Sequence, residues 1–327
     1  MPARSSIVAT VVVGFATIAG GLGACRAKSA APSGSHADGA ASASSVASAT
    51  PYVLPEKPLV DAGPMASGIP VPAAKVDAIV NPAHEEPYRG PTGTIEGIIK
   101  VSGDPPPKAN PTIPFECGEA YATYGKAFRE GTGHELADVL VAVTGYRGYL
   151  PVSNEVVSVG IHGCAYESRT VAVTYGQRIE VSNRDARESF VPTLLGAELP
   201  AQIIAVPRGD AVKLYPVQVG HFALADGMKR DWMYSDVFVL RYPTHAVTAL
   251  DGRYRITGIP AGKVKVSAYS PQMDEQLHPD TGVATSNVER EVEVKAGETT
   301  NVDFVIHYKT PKPKPKPKPL PPSDVVR

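Results

Sequence analysis

The chain has 327 residues, with 32 Lys and Arg against 33 Asp and Glu, so its formal net charge is −1. A balance this close to neutrality does not indicate nucleic-acid binding, and the length allows one large or two modest domains. The contents of 30 Gly and 32 Pro are high, and much of the proline lies outside the segments that have the pattern of folded structure.

The first 24 residues have the layout of a signal peptide. Arg4 precedes an apolar run over residues 7–18, which is too short for a comfortable membrane span, and small residues follow. The segment Leu22–Cys25 resembles a bacterial lipobox, which implies cleavage before Cys25 and lipidation of its sulfur. Arg26 follows in place of an Asp, which by analogy with Gram-negative lipoproteins implies the outer membrane. The alternative is an ordinary signal peptide with a chance cysteine.

Two segments lack the periodicity of folded structure. Residues 25–90 are mostly Ala, Ser, Pro and Gly with scattered charges. This composition predicts a disordered tether reaching roughly 40–45 Å on average. Residues 309–327 form a tail in which Lys and Pro alternate over 311–319, which predicts a polyproline II segment of about 28 Å. The tail is either a stiff spacer or simply solvated chain.

Between these segments, alternation of apolar and polar residues predicts an all-β chain. Phe115–Arg129 is predicted to be a short helix or loop, and no longer helical period appears. The predicted strands are Thr94–Val101, Asp138–Val143, Val156–Gly160, Thr170–Thr174, Arg178–Val181, Ala211–Tyr215, Asp236–Leu240, Arg290–Lys295 and Asn301–Ile306.

The stretch Leu250–Tyr269 has the clearest pattern. A turn at Asp251-Gly252 is followed by two alternating runs separated by the turn Gly258–Gly262. This pattern predicts a hairpin with one dry and one wet face. The dry face would carry Tyr254, Ile256, Val264, Val266 and Ala268. The stretch resembles the signature hairpin of carboxypeptidase regulatory-like, transthyretin-like β-sandwich domains, which are mostly non-catalytic.

These patterns predict a transthyretin-like sandwich, residues 91–150 plus 242–308, with a second β unit inserted at residues 151–241. Residues 155–270 resemble the methylamine-utilisation, plastocyanin-like proteins, in which a cupredoxin domain directly precedes the hairpin signature. The shared frame is Cys164, Gly176, Asn183, Asp185, Trp232, Met233, Asp251, Gly252 and Pro260–Gly262.

The resemblance also implies where copper ligands would stand. A blue-copper site uses two imidazoles, a thiolate and a weak axial thioether. The first His position falls on Ser189 or a neighbour, the Cys position on Gly227 or Met228, and the second His position on Arg230, so that only Met233 survives. We therefore expect a cupredoxin-like domain without copper. If copper is bound, the weak candidates are His221, Met228 and Met233; the alternative is packing methionines and a surface histidine.

The other candidate residues are fewer. With Cys25 assigned to the lipid, Cys117 and Cys164 are predicted to form one disulfide, as in exported proteins generally. His162 would share a face with Cys164 only within a strand. His245, at a strand boundary, is predicted to be solvated.

Catalytic motifs are missing from the sequence. It contains no Gly-x-Ser-x-Gly elbow, no His-Glu-x-x-His and no phosphate-binding glycine loop. Asp226, Asp231 and Asp236 match no calcium loop and are predicted to be solvated loop carboxylates. A set of tyrosines could form a stacking surface for sugars, namely Tyr121, Tyr124, Tyr146, Tyr149 and Tyr166.

The sequence thus favours a non-enzymatic cell-envelope lipoprotein with a binding or structural role, attached to the membrane through its lipid. Its further partner would be the cell wall or another envelope protein. The alternatives are a copper-binding electron carrier or copper-handling protein, and a glycan or cell-wall binding module.

Overall fold

The computed structural model describes residues 65–228, 230–278 and 287–311. The signal peptide, Cys25, the first part of the predicted tether and the Lys-Pro tail from residue 312 lie outside these ranges. Two short helices occur in the described chain, α1 (Ala73–Val80) and α2 (Ala120–Tyr124), with a 3-10 turn at Phe115–Cys117 and another at Pro271–Met273. The strands are β1 (Thr92–Gly103), β2 (Leu140–Thr144), β3 (Val156–His162), β4 (Ala165–Tyr166), β5 (Thr170–Thr174), β6 (Arg178–Asn183), β7 (Pro192–Leu195), β8 (Val212–Leu214), β9 (Gly220–Asp226), β10 (Tyr234–Leu240), β11 (His245–Val247), β12 (Arg253–Pro260), β13 (Gly262–Tyr269), β14 (Asn287–Val294), β15 (Thr299–Asn301) and β16 (Phe304–Tyr308). The prediction of an all-β chain is confirmed.

Strands β1, β2 and β11–β16 form what we call the outer sandwich. In one sheet, β1 pairs antiparallel with β12 and parallel with β15 and β16. The other sheet has the order β11-β2-β13-β14, with every pair antiparallel. Alternate side chains of both sheets fill the core, as the sequence periodicity predicts. Fully buried examples are Ile95, Ile99, Val139, Val141, Val143, Ile259, Val266 and Ile306.

Strands β3–β10 form what we call the inner unit. Its sheets have the orders β5-β10-β9-β7 and β4-β3-β6-β8. In each sheet one neighbouring pair is parallel, β5 with β10 and β3 with β6. A separate apolar core lies between the two sheets, with Ile161, Val173, Ile179, Leu194, Leu214 and Leu224 buried in it.

A disulfide attaches the segment before β2 to the inner unit. Cys117 in the 3-10 turn is bonded to Cys164, in the turn that follows β3. Both cysteines are buried in the inner unit's core together with Tyr124 of α2. The predicted disulfide is therefore confirmed. On the chain-entropy account, closing a loop of this length stabilises the fold by about 4 kcal/mol.

The predicted hairpin at 250–269 is wrong in its pairing. Strand β12 pairs with β1 in one sheet, whereas β13 pairs with β2 and β14 in the other. The turn is a corner at which the chain crosses the sandwich, with Gly258 at φ 72° and Gly262 at φ 136°. The dry and wet faces are as predicted, because both strands direct their apolar side chains into the same core from opposite sheets.

The prediction of disorder is wrong for residues 65–90. Helix α1 packs Val76, Ile79 and Val80 against the inner unit's core. Ser67 is fully buried; its N–H donates to Leu199 O at 2.9 Å, and its hydroxyl accepts from Ala201 N–H at 2.7 Å. The segment 25–90 is mostly Ala, Ser, Pro and Gly, but it contains three apolar residues at the spacing of one helix face. Packing of these residues against the core stabilises a helix this short.

A buried polar cluster around Asp138 joins the outer sandwich to the inner unit. The Asp138 carboxylate accepts two hydrogen bonds from the Arg129 guanidinium, at 2.7 and 2.6 Å. It also accepts from the Ser168 hydroxyl at 3.0 Å and from the Arg169 N–H at 2.8 Å. Because an unpaired carboxylate is costly to bury, these contacts favour one arrangement of the two units.

Candidate functional site

Two loops at one end of the inner unit bring together the positions that the resemblance assigns to copper. One loop follows β6 and the other connects β9 to β10. Asn183 holds the first loop by donating from its amide nitrogen to the carbonyls of Glu188 and Ala205, both at 2.8 Å. Asp185 accepts from the N–H groups of Gly163 and Cys164, at 2.7 and 3.0 Å, so the loop is also tied to the disulfide turn.

The Arg230 guanidinium lies between these loops. It donates to the Asp226 carboxylate at 2.7 Å and to the Glu188 carboxylate at 2.9 Å. A third hydrogen bond, at 3.1 Å, reaches the Ser189 carbonyl, and the guanidinium carbon lies 4.6 Å from the centre of the Phe190 ring. The Arg230 side chain is 14% exposed and that of Asp226 is 0% exposed. The positions assigned to metal ligands are thus joined by a largely buried cation.

The other assigned positions do not supply copper donors. Ser189 contributes its main-chain carbonyl to Arg230. A Cβ at Gly227 would lie 3.0 Å from the Thr193 hydroxyl, so a larger residue there would crowd β7. Met233 is buried in the apolar core, whereas Met228 is 53% exposed. The residues present do not fit a blue-copper centre, since a guanidinium remains charged and offers no lone pair to a metal.

The weak candidates for copper do not converge either. His221 lies near the start of β9, five residues before Asp226, or about 17 Å along the strand. Met228 and Met233 follow the other end of β9. The prediction of a surface His221 is incomplete, because its Nε2 lies 2.9 Å from the Asp236 carboxylate.

Asp236 on β10 is a second buried carboxylate. It is 3% exposed and is contacted by the Nε2 atoms of His221, at 2.9 Å, and His278, at 3.2 Å. The side-chain N–H₂ of Gln272 lies 3.3 Å away. Burial opposes ionisation of Asp236, but the hydrogen bonds from the two histidines outweigh it and lower the pKa of the carboxyl. Because His278 and Gln272 follow β13, this cluster connects the inner unit to the outer sandwich.

Asp226 and Asp236 were predicted to be solvated loop carboxylates, and for both the prediction is wrong. Asp231 is exposed, as expected. Asp226 and Arg230 are only four residues apart, so the closeness of their opposite charges in the sequence was the local signal of their ion pair. No local signal pointed to Glu188 or His278, because each reaches its partner through the fold.

The remaining histidines lie apart from these clusters. His162 ends β3 and pairs with Glu119 at 3.4 Å on the surface, and the turn through Gly163 separates it from the face of Cys164. His245 was predicted to be solvated, and this is wrong. It is half-buried and contacts the Thr174 hydroxyl at 3.0 Å. Burial lowers the pKa of His245 to about 4.

The five tyrosines proposed to stack on sugars do not form one surface. Tyr124 and Tyr166 are 3% and 0% exposed and belong to the inner unit's core. The prediction that these two rings stack on a sugar is therefore wrong. Tyr121 is 48% exposed on α2. Tyr146 and Tyr149 line a separate cleft beside the chain crossing between the two units.

No group of three or more His, Cys, Asp or Glu side chains in the described ranges is arranged to hold a metal ion. At Asp236, both imidazole Nε2 atoms are instead directed at carboxylate oxygens. None of the helices in the described part of the chain has the length and apolar character needed to cross a membrane.

No protein-family model matches the sequence, and no curated protein matches it. Among solved structures, the chain is similar to mutants of amicyanin. A reduced mutant and an oxidised mutant are each 21% identical with a TM-score of 0.24, and a Cu(I) mutant is 20% identical with a TM-score of 0.23. Each match covers 27% of this chain and 85% of the amicyanin chain.

Proposed function

We propose that this chain is a lipid-anchored protein of the bacterial cell envelope with a binding or structural role and no enzymatic activity. In this proposal its inner unit has a cupredoxin-like frame that does not use copper, and the outer sandwich is of the transthyretin-like kind. The lipid on Cys25 holds the protein at the outer membrane, and the folded part meets the cell wall or another envelope protein.

The arrangement of Arg230 supports the copper-free role. Its guanidinium satisfies Asp226 and Glu188 between the two loops to which the resemblance assigns the metal ligands. Copper at this place would have to displace the mostly buried side chain of Arg230. The carboxylates of Asp226 and Glu188 would then lose their cation. The guanidinium thus connects the two loops through its hydrogen bonds, at the place where a blue-copper protein would connect them through its metal ligands.

Copper titration tests this role. We expect no thiolate-to-copper absorption band and no thermal stabilisation when Cu(I) or Cu(II) is added. A ligand bound only by the folded state at 100 times its Kd would stabilise by about 2.7 kcal/mol, which is easily measured. A copper-dependent rise in Tm that disappears in Met233→Ala or in Met228→Ala would overturn the copper-free proposal. It would favour the alternative of a copper-handling protein.

Membrane attachment is tested separately. The lipobox-like segment Leu22–Cys25 supports a mature protein that begins at a lipidated Cys25. The wild-type chain should fractionate with outer membranes and carry the mass of attached acyl chains, whereas Cys25→Ser should do neither. Unchanged processing and fractionation of Cys25→Ser would reject lipid attachment and would leave the copper result unaffected.

A further inference from the structure

A cleft of about 310 Å³ lies where the chain passes between the outer sandwich and the inner unit. One wall is the loop after β2, with the sequence Gly-Tyr-Arg-Gly-Tyr over residues 145–149. The other wall is the segment 241–243, which connects β10 to β11. Ligand sites occur preferentially at such junctions between structural units, and the volume is at the lower end of the usual range for small-molecule pockets.

Three tyrosines are among the residues that line this cleft. Tyr146, Tyr149 and Tyr242 all line it, and each is half-buried. The Tyr146 hydroxyl is hydrogen-bonded to the Thr244 hydroxyl at 3.0 Å, which holds its ring in place. Burial raises the pKa of Tyr146 and of Tyr242, so both hydroxyls stay protonated at neutral pH. Rings of this kind offer an apolar face for stacking and a polar edge for hydrogen bonds.

The loop that carries two of these rings is fixed before any ligand arrives. Gly145 and Gly148 adopt φ of 85° and 97°, a region that favours glycine. Tyr88 packs so closely on Gly148 that a Cβ there would lie 2.9 Å from its ring. The N–H of Tyr88 also donates to the Tyr149 carbonyl at 2.8 Å. A preformed loop loses little conformational freedom on binding, which favours affinity.

One arginine gives the cleft a positive charge. Arg241 lines it, whereas Arg147, in the loop between the two tyrosines, is not among the lining residues. Both residues are exposed, and within the described ranges neither forms an ion pair. An unpaired guanidinium beside a polar cleft is suited to a carboxylate, which it can bind through two parallel hydrogen bonds.

We infer that this cleft binds an anionic saccharide, with a sugar ring against the tyrosine faces and a carboxylate on Arg241. This inference gives a ligand class to the binding role proposed above and rests on that role, but it does not depend on lipid attachment. Charge complementarity favours a carboxylated sugar over a neutral one, and three tyrosines line the same cleft as Arg241.

Calorimetric titration of the full chain carrying Cys25→Ser tests the inference without a lipid. The probes are tetragalacturonate, which is carboxylated, and maltotetraose, which is neutral and of equal length. We expect tetragalacturonate to bind at least tenfold more tightly than maltotetraose, with an affinity that falls as salt is added. A decaproline peptide is the third probe, because aromatic clefts also accept polyproline II chains.

Variants locate the site. Arg241→Gln and Tyr149→Ala should each weaken tetragalacturonate binding about tenfold or more, while Tyr149→Phe should retain most of it because the ring remains. The matched control is Arg187→Gln, which changes an exposed arginine on the loop after β6. Equal binding by wild type and Arg241→Gln, tighter binding of decaproline than of either sugar, or no saccharide binding at millimolar concentration would each overturn the inference. Thermal melting of every variant verifies folding, and membrane fractionation of the Cys25→Ser chain reports on lipid attachment independently.

Discussion

Two buried aspartates on neighbouring strands of the inner unit are stabilised in different ways. Asp226, at the end of β9, is paired with the guanidinium of Arg230, which keeps its charge at every working pH. Asp236, on β10, is hydrogen-bonded to two imidazoles, each of which has an N–H that can donate a hydrogen bond even when the ring is neutral. The Asp226 contact and the contact of Asp236 with His221 lie within the inner unit, whereas the contact of Asp236 with His278 joins that unit to the outer sandwich. The comparison indicates that an internal charge pair fixes local loops, while a hydrogen-bonded imidazole connects the units.

The largest effect is expected from removing the guanidinium. Arg230→Ala should lower the free energy of unfolding by about 3–5 kcal/mol, because it leaves the fully buried Asp226 carboxylate without its cation. Urea denaturation at pH 7 measures this. The double variant Asp226→Asn with Arg230→Met should recover much of the loss, since no charge then remains buried. A loss below about 1 kcal/mol in the single variant would show that water satisfies Asp226 instead.

Burial of His245 should lower the stability of the fold in acid, by less than the loss expected for Arg230→Ala. Replacing His245 makes the pH dependence due to Asp236 easier to measure. Burial lowers the pKa of His245 to about 4, against about 6.5 for an unfolded chain. As pH falls the unfolded state therefore binds a proton first, and stability decreases from about pH 6.5 to about pH 4, by about 3 kcal/mol at most. His245→Gln should flatten the stability profile in this window. Identical profiles for His245→Gln and wild type would contradict the assignment.

The imidazole contacts of Asp236 should contribute less. His278→Ala removes one donor from a buried carboxylate and should destabilise by about 1–3 kcal/mol. In the wild type the hydrogen bonds hold the pKa of Asp236 below its usual value, so their contribution is present above about pH 4 and is lost as pH falls further. In His278→Ala the folded-state pKa of Asp236 should rise toward its unfolded value, so less stability should be lost as pH falls below about 4. The measurement is urea denaturation from pH 3 to 7 in a His245→Gln background, and an acid-induced loss equal to that of the His278-containing chain would reject the role of His278.

The smallest effect is expected at the outer partner of Arg230. Glu188 is 44% exposed, so solvent screens its pairing with the guanidinium. Glu188→Gln should cost no more than about 1 kcal/mol, and salt should reduce the difference further. Denaturation at low and high ionic strength tests this. A cost equal to that of Arg230→Ala would mean that Glu188, rather than Asp226, is the main counter-charge.

The sequence predicted much of the fold because alternation is a local property. The dry faces of β12 and β13 followed from the alternation of apolar residues such as Tyr254 and Ile256 with polar ones. The pairing of these strands did not follow from it. Whether consecutive strands pair or cross to another sheet depends on β1 and β14, which are distant in sequence. The disulfide was predictable because only two cysteines remained after Cys25.

The candidate sites were less predictable for the same reason. The resemblance drew attention to Arg230, but not to its carboxylate partners, Glu188 in the loop after β6 and Asp226 at the end of β9. Asp236 could not be recognised as buried, because its histidine partners lie 15 and 42 residues away. A charged residue in a polar-looking segment can be either solvated or internal, and only the fold decides between them.

The nesting of the inner unit within the outer sandwich has a consequence for how the chain acquires its structure. Strand β1 pairs with β12, and Thr92 at the start of β1 lies opposite Pro260. All strands of the inner unit lie between β1 and β12 in the sequence, so they are synthesised before β12 is available to pair with β1. A chain released from its N-terminus onward can therefore complete β3–β10 and oxidise Cys117 with Cys164 while β1 and β2 still await β11–β16. Pairing across such long sequence separations is intrinsically slow. We therefore expect the inner unit to act as the template on which the outer sandwich closes last.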